Sequence, residues 1–308
     1  MLPDMGRMID GRWTTQWYSP DEKGRFQREA TSFHDRVEKA EAGRYHLYVS
    51  LACPWAHRTL ILRKLKGLED AISVTVVDPY MGDEGWSFPE PDPVNGASYL
   101  REIYAKTKER YTGRVTVPVL WDTREGRIVN NESREIIRMF DHDFSAVAKR
   151  ERDLCPEHLR EQVDAEITAL YEPVNNGVYR SGFATTQGAY EEAVHELFAA
   201  LDAYDARLGK QRYLVGDQLT EADVCFFTTL VRFDAVYHYH FKCNVRRIRD
   251  YEHLWPYLRD IYQEPGVAET VSLDHIKQHY FRSHPTINPH GIVPVGPLLN
   301  FEEPHGRG

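Results

Sequence analysis

The chain has 308 residues, a length that favours two domains of ordinary size over a single large one. Hydrophobic residues make up 42% of it and charged residues 28%, the composition of a globular protein with enough apolar material for a core. The net charge is −9 and Lys and Arg form no block, which argues against nucleic acid as a partner.

Secretion, membrane insertion and metal binding are also not predicted. The first residues carry charges and no apolar h-region, and no run reaches the roughly 18 apolar residues that span a bilayer. The cysteines, Cys53, Cys155, Cys225 and Cys243, have no metal-type spacing. We therefore expect reduced thiols, a cytoplasmic location, no metal and no membrane partner.

The chain begins with a polar arm over 1–44, whose loosely spaced aromatic side chains are expected to pack onto a domain. From residue 45 the apolar pattern predicts a strand over 45–50, a helix over 55–66 and a strand over 72–77. This order is a βαβ unit, so the two strands should be parallel.

A long insertion rich in Gly and Pro follows over 79–113, with a short helix predicted at 99–111. A connection of this length inside a compact domain is usually functional or disordered. Trp86 and Phe88 lie within it and favour a function.

The next elements are predicted to be a hairpin of strands 116–121 and 127–129, then a helix over 132–143. Together with the βαβ unit they make a thioredoxin-like arrangement, so the first domain is predicted over 45–144. The fold class is then α/β followed by all-α.

A charged linker over 145–158 leads to a helical domain over 159–280. A capping box of Thr220 and Asp223 starts its most apolar helix, which should be the buried centre of that domain. The tail, 281–308, contains five prolines and is predicted to be extended.

Cys53 lies where the first predicted strand gives way to the first helix. A helix N-terminus presents unpaired N–H groups and the positive end of the macrodipole, and both favour the thiolate. Pro54 suits the first helical turn, and Ala56 occupies the position where a dithiol motif has its second cysteine. We interpret Cys53 as a one-thiol nucleophile; the alternative is an inert cysteine buried at a turn.

Two further motifs fit glutathione. Val117-Pro118 is a candidate cis peptide bond that would leave the Val117 backbone open to an extended peptide, or else an ordinary edge-strand proline. Glu132-Ser133 at a helix start offers an acceptor for an ammonium group and donors for a carboxylate, although it could be a simple helix cap. The γ-glutamyl end of glutathione carries both groups on one carbon.

The order of these elements resembles that of the cytosolic glutathione transferases. Within them, five motifs resemble the glutathionyl-hydroquinone reductases, the xi class: Cys53-Pro54-Trp55-Ala56-His57-Arg58, Gly85-Trp86-Ser87-Phe88, Arg114-Val115-Thr116-Val117-Pro118, Asn131-Glu132-Ser133 and Ser283-His284-Pro285-Thr286-Ile287-Asn288-Pro289-His290-Gly291-Ile292-Val293-Pro294. The resemblance runs from about residue 13 to residue 297.

This resemblance implies glutathione as co-substrate, a homodimer, and a set of site residues. Its glutathione contacts carry over to Trp86, Arg114, Val117, Glu132 and Ser133. The tyrosines that the family places over the nucleophile carry over to Tyr179, Tyr237 and Tyr280, with Tyr239 as an alternative to Tyr237. His57 is expected to be structural.

The implied function is reductive removal of glutathione from glutathionyl-hydroquinones through a mixed disulfide of Cys53 with glutathione. Two alternatives remain open. One is an omega-class-like thioltransferase or dehydroascorbate reductase that uses the same cysteine. The other is a binding protein that keeps the transferase fold without catalysis.

Overall fold

The computed structural model describes residues 6–16 and 18–307. Residues 1–5 and Trp17 of the predicted arm, and Gly308 of the predicted tail, lie outside the described residues. The chain forms two units. One contains Met1–Tyr18, Glu29–Arg152 and Asp274–Val293, and the other contains Ser19–Arg28, Asp153–Leu273 and Pro294–Gly308. The units interleave along the chain, and the predicted domain boundaries stay a prediction.

The helices and strands of the first unit precede those of the second along the chain, except that the last helix of the chain belongs to the first unit. Up to residue 152 they are β1 (Arg7–Ile9), β2 (Arg12–Thr14), β3 (Tyr45–Val49), α1 (Pro54–Leu65), β4 (Ile72–Val76), α2 (Leu100–Thr107), β5 (Val119–Asp122), β6 (Arg127–Asn130) and α3 (Ser133–Arg138). The second unit contains α4 (Arg160–Leu170), α5 (Gly177–Gly182), α6 (Gln187–Leu208), α7 (Glu221–Arg232), α8 (His238–His240) and α9 (Leu254–Tyr262). Helix α10 (Leu273–Ser283) follows, and from residue 274 it belongs to the first unit.

The sheet of the first unit has the order β4–β3–β5–β6. Strands β3 and β4 are parallel, with Tyr45 opposite Ile72 and Val49 opposite Val76, and α1 connects them. Strand β5 is antiparallel to both β3 and β6. The predicted βαβ unit, the hairpin and the fold class, a thioredoxin-like α/β part followed by an all-α part, are confirmed.

Several predicted element ends were wrong, among them that of the helix predicted over 99–111, which ends at Thr107. The predicted strand 116–121 begins only at Val119, because Pro118 has no N–H to donate to a ladder. The predicted helix 132–143 is α-helical only over Ser133–Arg138 and continues as a π-helical turn over Met139–Asp143. Glu132 is the N-cap of α3, not its first residue.

The insertion 79–113 is anchored to the sheet by one buried carboxylate. Asp92 is 1% exposed and accepts hydrogen bonds from the Tyr48 hydroxyl at 3.1 Å and from the Asn95 amide at 2.7 Å. Because an unpaired buried carboxylate is costly, the Tyr48 donor holds the insertion against β3, while the Asn95 backbone donor closes a turn within the insertion.

The N-terminal arm is also ordered by the first unit. Strands β1 and β2 form an antiparallel hairpin, and Met8 exchanges backbone hydrogen bonds with Gly113 at 2.9 and 3.0 Å. The ring of Phe33 stacks on Tyr111 with centroids 5.6 Å apart. These contacts hold this part of the arm against the first unit.

The helical unit has α7 at its centre. Every residue of α7 is buried, and the predicted capping box of Thr220 and Asp223 is present. The Asp223 carboxylate also accepts hydrogen bonds from the Leu214 amide and the Tyr257 hydroxyl, both at 2.8 Å. In the described part of the chain, no helix combines the length and the apolar character needed to cross a bilayer.

His46 is a buried polar residue in the middle of the sheet. Its Nδ1 lies 2.6 Å from the Ser73 hydroxyl and its Nε2 lies 2.8 Å from the Thr75 hydroxyl, which pairs β3 with β4 through side chains. Burial lowers the pKa of His46 to about 4, with Arg63 adding to the shift and Asp92 opposing it.

We predict that this histidine makes stability depend on pH. Its folded-state pKa is depressed, so its contribution is complete above the unfolded value near 6.5 and declines as pH falls toward 4. From about pH 7 to about pH 5 the free energy of unfolding should fall by roughly 2 kcal/mol through His46 alone.

Urea unfolding of wild type and His46→Gln at about pH 7 and about pH 5 measures how much of the pH dependence of the free energy of unfolding comes from His46. The variant should lose about that much of the pH dependence, whereas His195→Gln, at an exposed position of α6, should keep all of it. Identical pH dependence in wild type and His46→Gln would contradict the assignment.

Candidate active site

Cys53 is the N-cap residue of α1, with Pro54 in the first turn as predicted. Its backbone N–H donates to the Ser50 carbonyl at 3.2 Å, and its own carbonyl accepts from the His57 amide at 3.0 Å. The cysteine is half-buried, whereas most of α1 behind it, including His57, is buried. The thiol is therefore held by a rigid helix start and remains accessible.

The turn before β5 approaches this thiol. Val117-Pro118 is a cis peptide bond, as predicted, and the Cys53 Sγ lies 3.5 Å from the Val117 carbonyl oxygen. Among the described residues, no group accepts a hydrogen bond from the Val117 amide. An amide left open beside a nucleophile can pair with an extended peptide.

Glu132 and Ser133 form a polar network at the start of α3. One Glu132 carboxylate oxygen accepts from the Arg134 amide at 3.1 Å, and the other accepts from the Thr31 hydroxyl at 3.2 Å. The Ser133 hydroxyl accepts from Arg58 at 3.4 Å. Arg58 lies on α1, so the helix that begins at Cys53 also holds this network.

Trp86 lies in the insertion and is 7% exposed. Its ring stacks on the His279 imidazole with centroids 4.9 Å apart and planes at 25°. In the described part of the chain nothing accepts a hydrogen bond from its indole N–H, and this nitrogen is not among the buried atoms that lack a partner, so it is open to solvent or to a ligand.

Arg114 is bound mainly to the N-terminal arm. Its Nε donates to Glu29 at 3.0 Å, one terminal nitrogen donates to the carbonyls of Gly6 and Gln16, and the Tyr18 ring lies 4.0 Å from its guanidinium carbon. No described residue accepts from the other terminal nitrogen. Arg114 thus has a structural role that the sequence did not reveal, and one nitrogen is left for a ligand.

The predicted tyrosines divide between the two units. Tyr179 and Tyr237 belong to an aromatic cluster of the helical unit, with ring centroids 6.0 Å apart and Phe241 5.6 Å from each. The alternative, Tyr239, is 72% exposed and lies on α8. In the first unit, Tyr280 is 1% exposed and contacts the rings of His279 and His284 edge-on.

Sequence reasoning missed several residues that support these groups. Arg28 lies with its guanidinium carbon 4.8 Å from the Tyr179 ring centroid and donates to Asn176 at 3.0 Å. His275 on α10 lies 3.5 Å from the Ser50 hydroxyl, which accepts from the Ala52 amide next to Cys53. Polar residues spaced four apart on an otherwise buried helix face were the available signal for α10.

The chain matches known proteins in both of its units. Residues 52–143 match the family model of the glutathione S-transferase N-terminal domain, and residues 187–263 match that of the C-terminal domain. The glutathionyl-hydroquinone reductase YqjG of Escherichia coli K12 is 51% identical over 98% of this chain and 98% of its own length. The glutathionyl-hydroquinone reductase PcpF of Sphingobium chlorophenolicum is 51% identical over 95% and 96%.

Solved structures agree with these matches. The xi-class glutathione transferase of Natrialba magadii superposes with a TM-score of 0.94 at 56% identity, covering 100% of this chain and 98% of that one. The glutathione-bound structure of YqjG from Escherichia coli K-12 superposes with a TM-score of 0.88 at 51% identity, covering 98% and 99%.

A thioredoxin-like unit with a cysteine at a helix N-cap, combined with an all-helical unit, defines a glutathione transferase. The chain belongs to that family, and within it to the xi class, the group of the glutathionyl-hydroquinone reductases.

The accessibility of the cysteines predicts a selective reaction with iodoacetamide. Cys155, Cys225 and Cys243 are 0% exposed, and burial raises the pKa of Cys243 to about 12. Because alkylation requires an accessible thiolate, the native protein should take up one label, at Cys53. Peptide mass spectrometry locates the label, and Cys53→Ser should take up none. Labelling of a buried cysteine at a similar rate in the folded protein would contradict this prediction.

Proposed function

We propose that this protein uses glutathione to reduce glutathionyl-hydroquinones to hydroquinones. The observation that carries the proposal is the half-buried thiol at the N-cap of α1, with Ala56 where a second cysteine would resolve a disulfide internally. Two relatives that are 51% identical over nearly the whole chain bear the name of this activity.

The reaction has two balanced steps. The Cys53 thiolate attacks the sulfur of the conjugate, so a sulfur–sulfur bond forms, the carbon–sulfur bond breaks, and its electron pair stays with the aromatic carbon. A proton reaches that carbon and the hydroquinone leaves. The thiolate of a second glutathione then attacks the mixed disulfide, which releases oxidised glutathione and restores the Cys53 thiolate.

Glutathione binds through the groups around Cys53. The open Val117 amide pairs with the cysteinyl backbone of the tripeptide. The Glu132 carboxylate accepts from the γ-glutamyl ammonium, since the three hydrogen bonds that it accepts from Thr31, Ser133 and Arg134 still leave a lone pair on its oxygens. The Ser133 hydroxyl forms a hydrogen bond with the γ-glutamyl carboxylate. One guanidinium nitrogen of Arg114 and the indole N–H of Trp86, which have no acceptor among the described residues, donate hydrogen bonds to the tripeptide.

A carbon leaving group needs an acid, because a carbanion is far more basic than a thiolate. We assign this role to the phenol of Tyr179, while the hydroxyls of Tyr237 and Tyr280 stabilise the thiolate of Cys53. The assignment draws on the aromatic cluster that Tyr179 shares with Tyr237, and on the guanidinium of Arg28 beside the Tyr179 ring. A cation over a ring face stabilises negative charge that develops on the phenol.

A thioltransferase or dehydroascorbate reductase is the second candidate function. Two yeast relatives are named omega-like glutathione transferases, at 48% and 36% identity. Both activities need only the same cysteine and glutathione.

The remaining proposals concern the setting of the enzyme. We place it in the cytoplasm as a homodimer that acts on aromatic compounds, without a metal and without nucleic acid or membrane partners. The net charge of −9 and the absence of a block of Lys and Arg support the last point.

Incubation with a glutathionyl-hydroquinone and glutathione, followed by chromatography, tests the proposed function. Free hydroquinone and oxidised glutathione should appear in equal amounts. Rapid reduction of dehydroascorbate or of a simple mixed disulfide, without release of hydroquinone, would favour the second candidate instead.

Cys53→Ser should reduce turnover by about three orders of magnitude or more, because a serine hydroxyl is far less acidic and a poorer nucleophile. Cys155→Ser makes the same atom change at a buried site and should keep most of the activity. Steady-state rates of the two variants and of the wild type are compared, after melting temperatures show that all three proteins are folded. Substantial activity in Cys53→Ser would remove this residue from the mechanism.

Tyr179→Phe should slow reduction of the hydroquinone conjugate about tenfold and spare reduction of a mixed disulfide of glutathione, since a thiolate leaves without an acid. Tyr190→Phe, in the same helical unit, removes a hydroxyl that donates to the Lys242 carbonyl and serves as the matched control. Equal slowing of both substrates by Tyr179→Phe would transfer the acid role to Tyr237, Tyr280 or water.

A further inference from the structure

One face of α10 contacts three parts of the first unit through polar side chains spaced four residues apart. His275 lies beside the Ser50 hydroxyl of the turn that leads to Cys53. His279 contacts Trp86 and Pro79, and the Ser283 hydroxyl accepts from the Met81 amide at 2.9 Å. This spacing places all three side chains on one side of the helix.

His279 is the central member of this series and is itself held in a defined orientation. Its Nδ1 lies 3.0 Å from the Pro79 carbonyl oxygen. A carbonyl can only accept, so the ring nitrogen donates this bond and the plane of the imidazole is set. That plane is nearly parallel to the indole of Trp86, at 25° and 4.9 Å.

The Trp86 ring is buried except for 7% of its surface, and the imidazole of His279 forms a flat surface against it. Trp86 belongs to a long insertion, and its indole N–H has no acceptor among the described residues. Such a donor strengthens ligand binding most when its ring already has one orientation in the free protein, because ordering a side chain on binding costs affinity. The stacked imidazole of His279 supplies that orientation.

We propose that His279 is a positioning residue for glutathione, which acts by stacking on Trp86 and holding its indole N–H toward the ligand. The inference rests on the proposed function in its use of Trp86 as a glutathione contact. His279 is not assigned to the chemical step, because the proposed role is exerted through the Trp86 ring on which it stacks.

Two substitutions distinguish the contribution of the His279 ring from that of its hydrogen bond to Pro79. His279→Asn keeps an N–H that can reach the Pro79 carbonyl but has no ring to stack. His279→Phe keeps a ring of similar size but cannot donate. Gln278→Ala, one residue earlier on the same helix, is the matched control.

Glutathione affinity is measured by titration calorimetry in the Cys53→Ser background, where no mixed disulfide forms. His279→Asn should raise the Kd about tenfold. His279→Phe keeps the stacked ring and loses only the bond that sets its plane, so it should raise the Kd by no more than about threefold, and Gln278→Ala should leave it unchanged. In a Trp86→Ala background, His279→Asn should have no further effect on Kd, because it acts through the indole.

Three results would overturn the proposal: an unchanged Kd in a folded His279→Asn variant, an equal rise in both His279 variants, or additive effects of His279→Asn and Trp86→Ala. A purely structural role would lower the melting temperature without changing the Kd. If His279→Asn does not fold, His279→Leu fills the same space without a ring and takes its place, with the same expected rise.

This binding measurement does not depend on turnover. If the wild type binds glutathione but does not release hydroquinone from its conjugate, the proposed function fails while the test of His279 stands. If the wild type is active and His279→Asn binds glutathione as tightly as its parent, only the positioning role fails.

Discussion

The close approach of the Cys53 thiol to the Val117 carbonyl is the constraint on which the site depends. The Sγ–O distance of 3.5 Å requires the start of α1 and the turn before β5 to be held together. Neither segment could do this alone. The sheet order β4–β3–β5 brings them to the same end of the central strand, and the buried side of α1 fixes the helix. A nucleophile and an open peptide backbone become neighbours because the sheet places them there.

The same unit is completed by residues far away in the chain. Helix α10 contacts the turn before Cys53 through His275 and the insertion through His279 and Ser283. The N-terminal arm engages Arg114 through Glu29 and two backbone carbonyls. Both ends of the chain therefore support one glutathione transferase unit, and a part cut at the ends of its sheet would lack these contacts.

The local sequence pattern predicted which helices and strands form, but it predicted their first and last residues less well. The βαβ unit, the hairpin and the capping box of α7 follow from alternation, helical spacing and cap residues, which act within a few positions. The strand start at Val119 and the π-helical turn after Arg138 were missed. The strand start follows from Pro118, which has no N–H to donate, and the π-helical turn is a change in helical hydrogen bonding that apolar periodicity does not encode. The contacts of Arg114 and His279 were missed for a different reason, since their partners are 85 and 200 residues away along the chain.

The sequence by itself determined the chemistry that is available: a cysteine after a strand and before Pro54, a glutamate–serine pair at a helix start, and tyrosines in family positions. The cysteine and the glutamate–serine pair follow from residue type and from neighbours along the chain, whereas the tyrosines were singled out only by the resemblance to the family. Only the tertiary structure decided that Val117 faces Cys53, that Trp86 is stacked on an imidazole, and that Tyr237 is buried while Tyr239 is exposed. Those outcomes depend on which distant segments share a buried surface, because burial and hydrogen-bond satisfaction are settled by the whole fold.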